Sequence, residues 1–302
     1  MATASLTAGL ACPVPITTYE RVQLGHGSGG KMSAALVRER FLPLFRNDIL
    51  AQLGDAAIVD VAGQSLAIST DTFVVQPLEF PGGNIGSLAV HGTVNDLAMM
   101  GARPSWLSAG FVLEEGLPFD VLDRGVQAMA AAAQEAGVLL VAGDTKVVER
   151  GKADGIFINT TGVGLRPAGF APAPARAPPG DAVIVSGLIG RHGIAIMTAR
   201  EGLAFEAEVT SDSAALTPLV NLLRERVGDA VHTLRDPTRG GMASALNEIA
   251  AAASIGVGLD ETLLPIPGPV AAACEMLGFD PLYVANEGVL VAFVPQPRAD
   301  EA

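Results

Sequence analysis

The chain is predicted to be an α/β (α+β) protein of two domains, and three observations lead there. Strand-like apolar runs alternate with helical ones along most of its length. A Pro- and Ala-rich stretch, Arg166 to Gly180 (RPAGFAPAPARAPPG), interrupts that alternation near the middle. The 302 residues, 49% hydrophobic and 17% charged, are enough for sizeable cores and too apolar for a disordered chain.

Taken in order, residues 1–18 are small and Pro-containing and read as a flexible leader with no core-forming pattern. From residue 19 to 165 the strand-like runs are Ala56 to Val61, Ser65 to Ser69, Trp106 to Val112, Val138 to Ala142 and Gly155 to Leu165. Between them helical patterns occupy Ser33 to Phe45, Ile85 to Met100 and Phe119 to Ala136. The stretch 166–180 is the domain connection, because alternating prolines neither donate ladder hydrogen bonds nor continue a helix. The second domain, 181–302, reads as a strand at Asp181 to Ser186 and helices at Gly193 to Glu201, Ser213 to Arg226 and Gly241 to Ala253. A closing strand follows at Val289 to Val294.

Charge and cysteine content narrow the function. With 19 Lys and Arg against 32 Asp and Glu, the net charge of −13 repels a phosphodiester backbone, so nucleic acid is not an expected partner. No apolar run reaches the length of a membrane span, and no basic residue precedes Arg21 as in a signal peptide. The cysteines Cys12 and Cys274 are far apart and form neither a disulfide framework nor a thiolate metal site, which fits a reducing cytoplasm.

Four features carry chemistry. His26 to Lys31, HGSGGK, precedes a helical pattern; its glycines let backbone N–H groups approach an anion, and Lys31 adds a charge. It lacks the Walker A spacing, and a plain Gly-rich loop is the competing reading. Asp55, Asp71, Asp96 and Asp144 are isolated acids expected at strand ends or in turns, where they can converge on Mg²⁺ and phosphate or simply cap. RDPTRGG, Arg235 to Gly241, offers Asp236 and Arg239 beside a helix start. In VANEG, Glu287 is either a solvated turn residue or, if buried, a group able to move protons.

In order, HGSGGK, LGDAAIV, STDTFVV, PGGNIGSLAVHGTVNDLAMMGARP, GFVLEEGLP, AGDTKVVERG, INTTGVG, VSGLIGRHG, RDPTRGG and VANEG closely resemble the hydrogenase expression/formation proteins HypE, over roughly Val22 to Val294. That family is related to aminoimidazole ribonucleotide synthetase, selenophosphate synthetase and thiamine monophosphate kinase. The resemblance implies an N-terminal ATP-binding and dimerisation domain that pairs through a β-barrel-like interface into a homodimer, ATP lying near the dimer cleft, and a C-terminal α/β domain. It implies ATP and Mg²⁺ as cofactors. Asp55, Asp71, Asp96, Asp144 and Asp236 would be the metal set, and Gly27, Ser28, Gly29, Gly30 and Lys31 the phosphate-covering loop. Thr72, Asn95, Thr145 and Arg239 would be further nucleotide contacts, with Lys146, Glu287 and His26 near the reacting group.

The implied reaction is ATP-dependent dehydration of a cysteine S-carbamoyl group, made by the carbamoyltransferase HypF, into a thiocyanate that supplies cyanide to the iron of [NiFe]-hydrogenase. HypF and the HypC–HypD complex are the implied partners, in the cytoplasm. Two departures stand out. Family members carry the substrate on the cysteine of a terminal Pro-Arg-Ile-Cys tail, whereas this sequence stops at Pro297-Arg298-Ala299-Asp300-Glu301-Ala302. The expectation is a truncated form that keeps the ATP site, or a divergent member. Gly54 also precedes Asp55 where sister enzymes often have a second acid. Two alternative readings are a small-molecule ATP-dependent synthetase or kinase of the same superfamily and a non-catalytic maturation scaffold.

Overall fold

The computed structural model describes residues 20–202 and 208–302. The expected leader, with Cys12, lies outside the described residues. The chain enters through a 3₁₀ turn, Leu24–Gly27, and then α1 (Gly30–Leu36). A π-helical turn, Val37–Phe41, passes it into the short α2 (Leu42–Phe45), so the helix expected at 33–45 starts earlier and is interrupted.

Next come β1 (Ala57–Val61), β2 (Gln64–Phe73), the short β3 (Glu79–Phe80) and β4 (Gly83–Asn84), α3 (Ile85–Met99), β5 (Arg103–Glu114), α4 (Phe119–Ala136), β6 (Leu139–Val148) and β7 (Ile156–Leu165). Five of these strands make one sheet in the order β1-β2-β7-β5-β6. All neighbours are antiparallel except β5 and β6, which the crossover helix α4 joins in parallel. The sheet is open, with β1 and β6 as its edges, so a barrel is not closed within one chain. Beyond residue 165 stand β8 (Asp181–Val185), α5 (Arg191–Glu201), α6 (Thr217–Arg226), β9 (Thr233–Arg235), α7 (Gly241–Ala253), α8 (Gly268–Leu277) and β10 (Val291–Pro295), with an antiparallel sheet in the order β8-β10-β9.

Helix α3 organises both halves. Asn84 caps it, its Oδ1 accepting the N–H groups of Gly86 and Ser87. Ile85, Leu88, Ala89, Val90 and Val94 join the core under the five-stranded sheet, whereas Ala98 and Met99 join the core of the second half around Leu234 and Leu290. A helix packed on all sides has no need of a polar stripe, and α3 carries none.

Two strand lengths differ from expectation in ways that matter. β2 runs on to Phe73, so Asp71 and Thr72 sit within a strand. β6 continues to Val148, so Asp144 stands in mid-strand rather than in a turn. The expected helix from Ser213 begins only at Thr217, with Pro218 in its first turn, because the residues before it are bonded elsewhere. β9 is too short to leave a periodic signal.

α3 and α4 approach closely where Gly86 faces Gly125: a Cβ on Gly86 would lie 1.9 Å from the Gly125 carbonyl oxygen. Gly86→Ala is expected to lower stability by at least about 1–3 kcal/mol, the usual cost of overpacking. The urea midpoint of the purified chain measures it.

Candidate active site

The cleft between the two halves, about 860 Å³, collects most of the acids singled out above. Asp55 precedes β1, Asp96 lies on α3 and Asp236 follows β9, and one ligand oxygen from each lies within 4.8 Å of the others. Arg235 supports this group: its Nη1 donates to Asp55 Oδ1 at 2.5 Å and its Nη2 to Glu248 Oε2 at 2.5 Å. Ser69 Oγ donates to Asp96 Oδ2 at 2.5 Å.

One guanidinium does not neutralise three buried carboxylates. Burial, opposed by Arg235, pushes Asp55 up to about 6. Burial and the Asp55 charge push Asp236 up to about 7, and burial with the charges of Asp236 and Asp55 raises Asp96 well above the carboxylate range. Asp55 Oδ2 and Asp236 Oδ2 are buried without a hydrogen-bond partner among the described residues. Converging hard oxygen donors, two of them unbonded, fit a divalent cation such as Mg²⁺.

Asp71 stands beside this group on β2, its carboxylate accepting the Thr72 N–H at 2.8 Å. Arg239 reaches Asp71 Oδ1 at 3.5 Å and the Gly27 carbonyl at 3.3 Å. HGSGGK and RDPTRGG therefore meet over the acids. At Gly29 (φ +77°) the fit depends on glycine, since a Cβ would stand 2.6 Å from the Arg239 carbonyl oxygen. Gly27, Ser28, Thr72 and Arg239 line the cleft together with Asp71, Asp96, Asp236 and Glu287. Burial and the charges of Asp236, Asp71 and Asp212 raise the Glu287 carboxyl well above its ordinary value. Phe73, Val75, Ile196 and Val284 form an apolar wall. His192, also on the cleft, bonds Ser211 Oγ through Nδ1 at 2.8 Å, and burial lowers it to about 4, so it is neutral at physiological pH.

Other expected site residues stand elsewhere. Asp144, Thr145 and Lys146 are exposed on edge strand β6, apart from the acids, with Lys146 Nζ 3.1 Å from Asp144 Oδ2. The reason is the length of β6, which carries them out along the sheet edge. Lys31 is exposed in the first turn of α1, and His26 Nδ1 accepts the Gln23 N–H at 2.9 Å. Asn95 is 1% exposed, and its amide is spent on the carbonyls of Ala214 and Glu287 and the N–H of Leu216. It holds protein backbone rather than reaching the cleft. Sequence reading missed Arg235, Ser69, Asp212 and Asn286. Arg235, Ser69 and Asn286 all lie inside the quoted motifs RDPTRGG, STDTFVV and VANEG, whereas Asp212 lies in none of them.

The AIR synthase related protein N-terminal domain matches residues 53–166, and the C-terminal domain of the same family matches residues 178–302. The chain is 54% identical over 281 residues, 93% of its length and 80% of the relative's, to a protein of Cupriavidus necator named carbamoyl dehydratase HypE. It is similar to the chain in a HypE–HypF complex (47% identity, TM-score 0.84, covering 88% of this chain and 86% of that one). It is also similar to a HypE in complex with ATP (53% identity, TM-score 0.77, covering 92% and 82%).

Raised carboxyl values make stability depend on pH. Asp55, Asp96 and Asp236 bind protons more tightly folded than unfolded, so they favour folding at lower pH, and that contribution is lost as pH rises through the folded values. Buried His192 and His91, both lowered, act in the opposite sense below about pH 6.5, the unfolded histidine value. Between about pH 6.5 and 8 only the acids remain, so the melting temperature of the metal-free chain is expected to fall across that window. Mg²⁺ is expected to restore it, more at pH 8 than at pH 6.5, and Asp236→Asn to remove most of that gain. Differential scanning fluorimetry with and without chelator measures all three.

Proposed function

The chain belongs to the AIR synthase related proteins and, within them, to the HypE family, and from that premise we propose that it is an ATP-dependent carbamoyl dehydratase of [NiFe]-hydrogenase maturation. The observation that carries this reading is the convergence, in one cleft, of a three-carboxylate group, a glycine loop tethered by Arg239, and the buried carboxyl of Glu287.

The reaction needs those three parts. A thiocarbamate carbonyl oxygen is a poor leaving group. Transfer of the γ-phosphoryl group to it, with loss of one N–H proton and release of ADP, gives an iminophosphate. Expulsion of phosphate with removal of the second N–H proton gives R–S–C≡N. The backbone of Gly27 to Gly30 and the Arg239 guanidinium cover the phosphates and hold them in line. Asp55, Asp96 and Asp236, with Asp71 beside them, would hold Mg²⁺, which would supply charge neutralisation for the phosphates. The first N–H proton passes to solvent, and Glu287 accepts the second as phosphate leaves. Burial and the neighbouring carboxylates make Glu287 a stronger base than an exposed glutamate, and the apolar wall formed by Phe73, Ile196 and Val284 keeps water from the reacting carbon.

Asp144, Thr145 and Lys146 enter through a second copy. β6 leaves Leu139, Leu140, Val141 and Val147 between 47% and 67% exposed along an unpaired strand edge, a surface that a monomer rarely keeps bare. A homodimer that continues the sheet toward a barrel across this edge covers it and gives Lys146 a place at the dimer cleft. HypF and the HypC–HypD complex are the further partners, and the cytoplasm the compartment. No helix among the described residues is long and apolar enough to cross a membrane. Division at 166–180 into domains 19–165 and 181–302 is supported by the two family matches, the first ending at residue 166 and the second beginning at residue 178, within that stretch.

The assay is phosphate release from Mg-ATP by the purified chain, with and without a peptide ending in S-carbamoyl cysteine supplied in trans. Peptide-dependent phosphate and thiocyanate in equal amounts are expected; phosphate release indifferent to the peptide would overturn the dehydratase reading. Glu287→Gln is expected to lower kcat by about 10²–10⁴-fold, as for a lost general base, with KM for ATP little changed. Leu140→Glu is expected to shift the chain from dimer to monomer in light scattering.

A further inference from the structure

Glu287 lies in a segment without regular secondary structure, between the 3₁₀ turn Pro281–Tyr283 and β10, yet its main chain is bonded on every side. Asp212 Oδ2 accepts the N–H of Glu287 at 3.1 Å and that of Gly288 at 2.9 Å. The Glu287 carbonyl accepts the Ala214 N–H at 3.3 Å and the Asn95 side-chain amide at 3.3 Å. Asn95 also accepts the Leu216 N–H at 2.7 Å and donates to the Ala214 carbonyl at 3.0 Å, so one amide ties α3 to both the 211–216 loop and Glu287.

That loop is itself fixed at both flanks of Asp212. His192 on α5 bonds Ser211 Oγ at 2.8 Å, and His91 on α3 bonds Ser213 Oγ at 2.9 Å. On the preceding side, fully buried Asn286 accepts the Gly190 N–H at 2.6 Å and donates to the carbonyl of Pro237, the residue after Asp236. Gly288 seals the arrangement, because a Cβ there would stand 1.7 Å from the Asp212 carbonyl oxygen.

A carboxylate that spends one oxygen on two main-chain N–H groups while its other, Oδ1, is buried with no hydrogen-bond partner among the described residues is a costly way to hold an ordinary turn. Solvent would satisfy the same groups in an exposed turn. The cost is intelligible if what must be held is the position of the side chain between those N–H groups. We propose that Asp212 and Asn95 are positioning residues that grip the main chain of Glu287 from the two halves of the molecule and so set where its carboxyl stands in the cleft. Neither touches substrate; both act through Glu287. This rests on Glu287 being the proton acceptor of the proposed reaction.

The test is a double-mutant cycle on the full chain, read by steady-state phosphate release with the S-carbamoyl peptide and by ATP affinity from calorimetry. Asp212→Ala is expected to lower kcat by about 10–10²-fold while KM and Kd for ATP stay within about threefold, the pattern of a displaced catalytic group. Asp212→Asn, which keeps an oxygen to accept the two N–H groups, is expected to recover most of the rate. In the Glu287→Gln background, Asp212→Ala is expected to cost less than about twofold more, because its effect runs through a group already lost. Asn95→Ala repeats the measurement from the other half, should Asp212→Ala fold poorly. Losses that multiply in the Glu287→Gln background, or a kcat unmoved by Asp212→Ala and Asn95→Ala, overturn the positioning role and leave Glu287 as acceptor. A Glu287→Gln variant with unimpaired kcat overturns the acceptor assignment and the positioning role with it.

Discussion

Burying three carboxylates within reach of one another is the constraint around which the molecule is arranged. Asp55, Asp96 and Asp236 come from three different elements and both halves of the chain, and each resists ionising beside the others. Such a group survives only if the surroundings fix it more firmly than it repels itself. Helix α3 supplies that firmness for Asp96, since its two ends belong to the cores of different halves. Arg235 supplies it for Asp55, with Glu248 holding the other side of the guanidinium. Among the described residues the pair leaves one Asp55 oxygen without a hydrogen-bond partner, and Asp236 has such an oxygen as well, so the support completes the group only partly.

How much of this was legible in the sequence depends on what kind of signal each residue leaves. Alternating apolar runs marked the main strands and helices, because those periods are set by burial on one face. RDPTRGG, HGSGGK and the strand carrying Asp71 were recognisable as anion or metal elements and do meet in one cleft. Asp144 was misplaced because its strand was read as ending at Ala142, whereas β6 runs six residues further, to Val148. Nothing local distinguishes a strand that stops from one that continues as an exposed edge. The resemblance implied a nucleotide contact at Asn95, next to Asp96. On a helix, however, neighbouring residues point about 100° apart, and these two face different partners. Asp212 left no signal at all, since its importance lies in two main-chain N–H groups remote in sequence.

The contacts that build the site are also the contacts that hold the halves together. Arg235 to Asp55, Arg239 to Asp71, Asn95 to Glu287, His91 to Ser213 and Arg200 Nε to the Gln76 carbonyl all cross between them. Swinging the halves apart to admit a nucleotide would break the metal group and the grip on Glu287 in the same movement. The cleft wall formed by Leu24, Gly27 and Ser28 is different in kind. Leu24 is almost wholly exposed, and the bond from Arg239 to the Gly27 carbonyl is long at 3.3 Å. The fold thus separates a group of contacts that join the two halves from a cleft wall that is exposed and held to Arg239 by a long bond.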